Sequence, residues 1–226
     1  MTRLRLSRPE PPSAPLPAKP VPAPPAPAAG PAARGELAHF GLIAAVCGLL
    51  MLLIRSFELQ FVHGLFQTED YAHAVTALGY GPASSDETER RVSLRMRRQE
   101  VLDGADPPRV WFVIDEAALR RPIGGRQVMR AQLKHLLEAA ALPHVTIQVV
   151  PFRRGGHAAA GGSFTILRFA APDLPDVVYL EHLTSALYLD DLRDVDHYME
   201  VMNVLSAEPH PPTATTRFLK EIIQEI

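Results

Sequence analysis

Residues 109–169 read RVWFVIDEAALRRPIGGRQVMRAQLKHLLEAAALPHVTIQVVPFRRGGHAAAGGSFTILRF, and this stretch decides the fold. Val110 to Ile114 is an unbroken apolar run rich in aromatic and β-branched side chains, which predicts a strand buried on both faces in a sheet interior. After the PIGG turn, Val128, Met129, Leu133, Leu136 and Leu137 recur at helical spacing, with Arg126, Arg130, Lys134 and Glu138 outside that stripe. Pro143 ends the helix and Val145 to Val150 resumes an apolar strand. A helix of that length crosses back over a sheet, so the two strands are expected to be parallel, joined by a right-handed crossover.

Outward from this unit the elements are shorter. Thr68 stands as an N-cap before a helix from about Glu69 to Leu78, with Glu69 and Asp70 in the turn that the helix dipole favours for acids. Ser85 or Asp86 caps a second helix that stops near Gly104, where the breaker Asp106-Pro107-Pro108 follows. Downstream, the glycine-rich segment 153–162 reads as a hairpin loop leading into a strand at Ser163–Phe169. Asp176–Glu181 and Ser185–Leu189 form a second hairpin, and helices over about Leu192–Leu205 and Thr213–Ile226 close the chain. The last carries Phe218, Leu219, Ile222 and Ile223 on one side. The fold class is therefore mixed α+β, with about five strands and flanking helices.

Ahead of this domain lie two other kinds of sequence. Residues 1–35 are dominated by proline and alanine without apolar periodicity, the composition of a disordered tail that is partly polyproline II. Residues 36–54 are an apolar helix by composition; Leu37 to Ile54 has no formal charge and the length of a short membrane span. Two readings stand for it, a helix packed on the domain and a span that anchors the chain in a membrane. The arginine-bearing tail would put the domain outside the cell in the second case. The first leaves the protein cytoplasmic. A shifted reading frame or misplaced start is a further account of residues 1–54.

Composition excludes several classes. With 226 residues, 23 basic against 25 acidic side chains and one cysteine, there is material for one sizeable domain, no disulfide framework and no global attraction to nucleic acid. The nine histidines form no zinc-protease pattern, the glycines at 155–162 lack the parts of a phosphate-binding loop, and no GxSxG elbow occurs. No cofactor or metal is expected. Asp190, Asp191, Asp194 and Asp196 straddle a strand end and a helix start, where such residues cap and solvate.

Three groups of side chains are candidates for a site. Asp115 and Glu116 end the strand in the central unit, where open α/β sheets place ligands, although Asp115 is also suited to cap the short helix that follows. Tyr179 and Glu181 alternate on one strand face, within reach of Arg120 or Arg121 if these cross the sheet. On the second helix, Arg91, Arg95 and Arg98 form a basic face suited to an acidic partner or phosphate, while Glu87 and Arg91 are spaced for an i,i+4 pair.

The succession GLFQTEDYAHAV, ERRVSLRMRRQEVL, VWFVIDEAALRRPIGGRQVMRAQLKHLLEAA, VTIQVVPF, GGSFTILRF and DVVYLE resembles the C-terminal domain of unknown function found in XRE-type helix-turn-helix regulators of actinomycetes. The resemblance covers about residues 55–226, with His63 and Phe66 as departures from the family pattern. It implies a non-enzymatic, antitoxin-like regulator whose sensor domain binds an unknown signal or a small partner protein. It supplies no catalytic or ligand residues to carry over. In that family a DNA-reading domain precedes this one, and no recognition helix is visible in residues 1–54, so direct DNA binding is not expected from this chain alone. A homodimer stays open. The alternatives are a membrane-tethered receptor domain and an α/β enzyme using Asp115, Glu116 or Glu181, which requires those carboxylates to converge.

Overall fold

A computed structural model of the chain describes residues 51–79, 85–182, 185–207 and 212–226. The proline-rich tail and residues 37–50 of the apolar run lie outside them. Six strands form one sheet: β1 (Met51–Glu58), β2 (Arg109–Asp115), β3 (Val145–Val150), β4 (Phe164–Phe169), β5 (Val177–Glu181) and β6 (Ala186–Leu189), in the order β3-β2-β1-β4-β5-β6. The described α-helices are α1 (Glu69–Gly79), α2 (Ser85–Gln99), α3 (Glu116–Arg120), α4 (Arg126–Ala139), α5 (Leu192–Ala207) and α6 (Pro212–Glu225). The mixed α+β class stands, with six strands in place of about five.

The central unit forms as its pattern dictates. β2 and β3 pair in parallel through α3 and α4, and Val110, Phe112, Val113 and Ile114 are all buried, so β2 meets apolar neighbours on both faces. Gly124, in the turn before α4, has φ +70°, and a Cβ there would lie 2.8 Å from Val128 Cγ1 and 3.0 Å from the Ala74 methyl. On one face of the sheet, Ile54, Phe112 and Ile114 pack with Met129, Leu133 and Leu136 of α4, Tyr71 of α1 and Leu219 and Ile222 of α6. On the other, Phe57, Val113, Phe164 and Val178 lie with Val195, Met202 and Leu205 of α5. The result is three layers with helices on both faces.

Two expectations are corrected. The apolar run at 37–54 was expected to be helical throughout; Met51–Ile54 instead begins β1, with Ile54 opposite Val110 in parallel and opposite Leu167 in antiparallel pairing. An apolar run has no period that separates strand from helix, and here two neighbouring strands decide it. Among the described residues no helix is long and apolar enough to cross a membrane. The glycine-rich segment is not a hairpin loop either. β4 pairs with β1 and β5, so residues 151–163 carry the chain from the β3 edge past β2 and β1.

Capping follows the sequence. Thr68 Oγ1 accepts the Tyr71 N–H, and its own N–H donates to Gln132 Oε1 at 2.8 Å. Gln132, fully buried, returns a hydrogen bond from Nε2 to the Phe66 carbonyl at 2.6 Å, tying the short 3-10 turn Gly64–Phe66 to α4. Asp191 accepts the Arg193 N–H at 2.9 Å at the start of α5, a cap that holds its carboxyl below the ordinary range.

Candidate functional site

β1 and β5 are both antiparallel to β4, so their carboxyl ends lie at the same end of the sheet. Pairing places Ser56, Thr165, Tyr179 and Tyr188 in one transverse row, and residues in such a row share a face. Two residues further on, Glu58 and Glu181 extend that face. The 3-10 turn brings His63 beside it and α2 supplies Arg95 and Arg98. The sheet end thus gathers two carboxylates, two guanidinium groups, two tyrosines and a histidine on the side where the rest of the layer is apolar.

The hydrogen bonds fix these groups in place. Ser56 Oγ donates to Glu58 Oε1 at 2.7 Å and lies 3.1 Å from Thr165 Oγ1. Arg95 Nη1 donates to Gln67 Oε1 at 2.7 Å, while Gln99 Nε2 donates to the Gly64 and Gln67 carbonyls. His63 Nδ1 accepts the Leu65 N–H at 3.1 Å, and its ring meets Phe112 edge-on with centroids 4.5 Å apart. The rings of Tyr179 and Tyr188 lie 5.2 Å apart. Arg95 and Arg98 are half-buried and turn toward the domain's own groups; Arg91 Nε donates to Glu87 at 2.8 Å.

Charge and burial then set protonation. Burial pushes the Glu58 carboxyl up to about 8; the Ser56 hydrogen bond pulls the other way, the nearby Glu181 carboxylate adds to the rise, and Arg95 opposes it. At neutral pH Glu58 is mostly protonated. Burial drives His63 down to about 3, with Arg95 helping, so its imidazole is neutral. Tyr71 is pushed up to about 12, mainly by burial, and Tyr179 is raised by burial first and then by Glu181, to which it is hydrogen-bonded. The site sets Glu58 beside Glu181, framed by arginines and phenols, with Glu181 and Tyr188 open to solvent, and it can both donate and accept hydrogen bonds.

The other candidates lie elsewhere. Asp115 continues the Val113 face of β2, opposite to the face of Glu181. Its Oδ1 caps α3 by accepting the Ala117 N–H at 2.7 Å, and its Oδ2 lies 3.7 Å from His157 Nε2. Glu116 accepts the Phe152 N–H at 2.7 Å and pairs with Arg120, which also pairs with Glu225. Arg120 therefore holds α3 to the end of α6 and does not cross to Glu181. Asp115, Glu116 and Glu181 do not converge. Among the described residues no group of three or more His, Cys, Asp or Glu could hold a metal ion.

Sequence reasoning missed Glu58, His63 and Ser56. The available signal was the break in apolar character at Arg55-Ser56 and Glu58, a polar pattern that has no place in a buried strand without a partner or a purpose.

The chain is a three-layer α+β domain with one mixed sheet and a polar cluster at the ends of β1 and β5. Residues 52–221 match the family described as a domain of unknown function (DUF5753), and the chain belongs to that family. No curated protein and no solved structure shows a significant match to it.

Proposed function

We propose that this domain is the non-enzymatic sensor of an XRE-type helix-turn-helix regulatory system, acting in the cytoplasm, and that the cluster at Glu58, Tyr179, Glu181, Arg95 and Arg98 receives its signal, a small polar ligand or an exposed tip of a small partner protein. The observation that carries the reading is the pair of carboxyls Glu58 and Glu181 gathered on one face at the ends of β1 and β5, with Glu58 held by Ser56 Oγ at 2.7 Å. Burial of an acid in its costly environment is a local sacrifice of stability, and such sacrifices concentrate where a site is used. DNA contact falls to a helix-turn-helix outside this domain.

The test is native mass spectrometry of the chain isolated from its own host, beside the Glu181→Gln and Tyr179→Phe variants. A retained small-molecule or protein mass that is lost in both variants supports the reading. Retention that is indifferent to both substitutions counts against this site. A second reading comes from the same pair: two neighbouring carboxyls, one of them raised by burial, are also the arrangement used by a general acid and base. Turnover of the retained molecule by the wild type, abolished in Glu58→Gln, would favour it.

A further inference from the structure

Arg55 and Ser56 are neighbours on β1 and point to opposite faces, so Arg55 lies on the α5 side, away from the cluster just described. Its side chain is buried, at 7% exposure, yet its partners are all neutral: Asn203 Oδ1 at 3.0 Å, Ser206 Oγ at 3.3 Å and Met199 Sδ at 4.0 Å. No carboxylate pairs with it among the described residues, and its Nε–H is buried without an acceptor. Burial first, and then the neighbouring Arg168, which is itself paired with Asp176 at 2.6 Å, lower the Arg55 pKa from its ordinary value. Trp111, directly opposite on β2, lies with its ring 5.2 Å from the guanidinium carbon. A buried cation without a counter-charge is expensive, and the ring and the carbonyl end of α5 compensate it only in part.

The same guanidinium lines a cavity of about 370 Å³ whose other walls are Leu53, Trp111, Asn203, Ser206 and Ala207. The volume is at the small end for ligand sites. Leu53, the Trp111 ring and Ala207 make it largely apolar. One guanidinium suits one planar carboxylate, and the partial negative charge at the end of α5 disfavours a dianion such as phosphate. We propose that this cavity binds a small monocarboxylate with an apolar body, its carboxylate on Arg55 and its body against Trp111.

Trp111 is the only tryptophan of the chain, so its emission reports on this cavity alone. The full chain is titrated at constant ionic strength with acetate, hexanoate and benzoate, and with neutral benzamide and inorganic phosphate as controls. Hexanoate or benzoate is expected to give a saturable change with affinity at least about tenfold above acetate, from the buried apolar body, and benzamide and phosphate none. Arg55→Met should abolish the response without lowering the melting temperature, because it removes an uncompensated buried charge. Asn203→Asp, at an exposed position, supplies the missing carboxylate from within; it should weaken binding at least about tenfold and keeps the test decisive if Arg55→Met does not fold. The proposal is overturned if none of the three acids gives a saturable response, if benzamide matches benzoate, or if Asn203→Asp binds as the wild type does.

Discussion

Replacing Glu58 by Gln should stabilise the domain at pH 7 and leave it nearly unchanged at pH 4.5. In the unfolded chain the Glu58 carboxyl loses its proton near its ordinary value of 4.5, whereas in the folded protein it keeps it until about 8. Between those values the native state binds more protons than the unfolded one, so stability falls as pH rises, by about 1.4 kcal/mol per pH unit for one proton. Carried from pH 4.5 to 7, the cost is about 3 kcal/mol, and the neutral amide of Gln escapes it. His63 acts with the opposite sign. Its folded value of about 3 lies below the ordinary 6.5, so the native state binds fewer protons in that window and stability rises with pH. The two slopes oppose each other between pH 4.5 and 6.5, and only the Glu58 slope remains from 6.5 to 8. Urea unfolding followed by far-UV circular dichroism at pH 4.5, 6.5, 7 and 8 reads all of this. Contributions shared by both proteins cancel in their difference. A Glu58→Gln variant whose stability difference from the wild type is the same at pH 4.5 and 7 would refute the claim that this carboxyl is buried in its neutral form.

Three further perturbations probe the scaffold. Gly124→Ala places a methyl group against Val128 and Ala74 at a φ of +70°; it should cost at least about 1 to 2 kcal/mol in chemical denaturation, and a neutral result would mean that the turn before α4 relaxes. Glu116→Ala leaves the Phe152 N–H without its acceptor and removes one of the two carboxylates on the Arg120 guanidinium. A loss of about 2 to 3 kcal/mol is expected, along with faster hydrogen exchange at the end of α6, where Glu225 shares the same arginine; unchanged exchange there would show that Arg120 does not couple α3 to α6. Leu133→Ala opens a cavity between α4 and the sheet at a side chain with no solvent exposure, so the unfolding free energy should drop by about 2 to 5 kcal/mol, measured by urea titration; a smaller drop would mean that the helix collapses into the space.

How much of this was legible depended on whether a residue's local pattern agreed with its tertiary role. β2, α4 and β3 were readable because an unbroken apolar run, a helical stripe and a second apolar run each had one sensible placement. Tyr179 and Glu181 were readable as a pair because strand alternation alone puts them on one face. The arginines of α2 were not, since a charged helical position is ordinarily solvated, and only the sheet end beneath the helix gives Arg95 and Arg98 groups to face. β1 was the least legible element. Met51–Ile54 continued an apolar run that resembled a helix, and Arg55-Ser56-Phe57-Glu58 lacks both the alternation of a half-buried strand and the apolar continuity of a central one.

That illegibility is itself informative. A strand flanked by β2 on one side and β4 on the other has no structural need for a buried guanidinium, a buried hydroxyl and an enclosed carboxyl within four residues. A valine or isoleucine at each would pack such a strand at less cost in desolvation. The polar residues of β1 divide between the two faces, Ser56 and Glu58 on the face of Thr165 and Arg55 under α5, and each face carries one of the two sites proposed above. One strand therefore connects the carboxylate cluster to the arginine cavity through adjacent residues. A ligand that draws Arg55 toward α5 acts on the same short segment of backbone that positions Ser56 against Glu58. The two proposed sites would share this route for coupling, and reciprocity requires that occupancy of either change the affinity of the other by the same factor if that route is used. Benzoate affinity measured by Trp111 emission in Glu58→Gln tests it: coupling predicts a shift relative to the wild type, and an unaltered affinity would show that β1 holds its two faces independently.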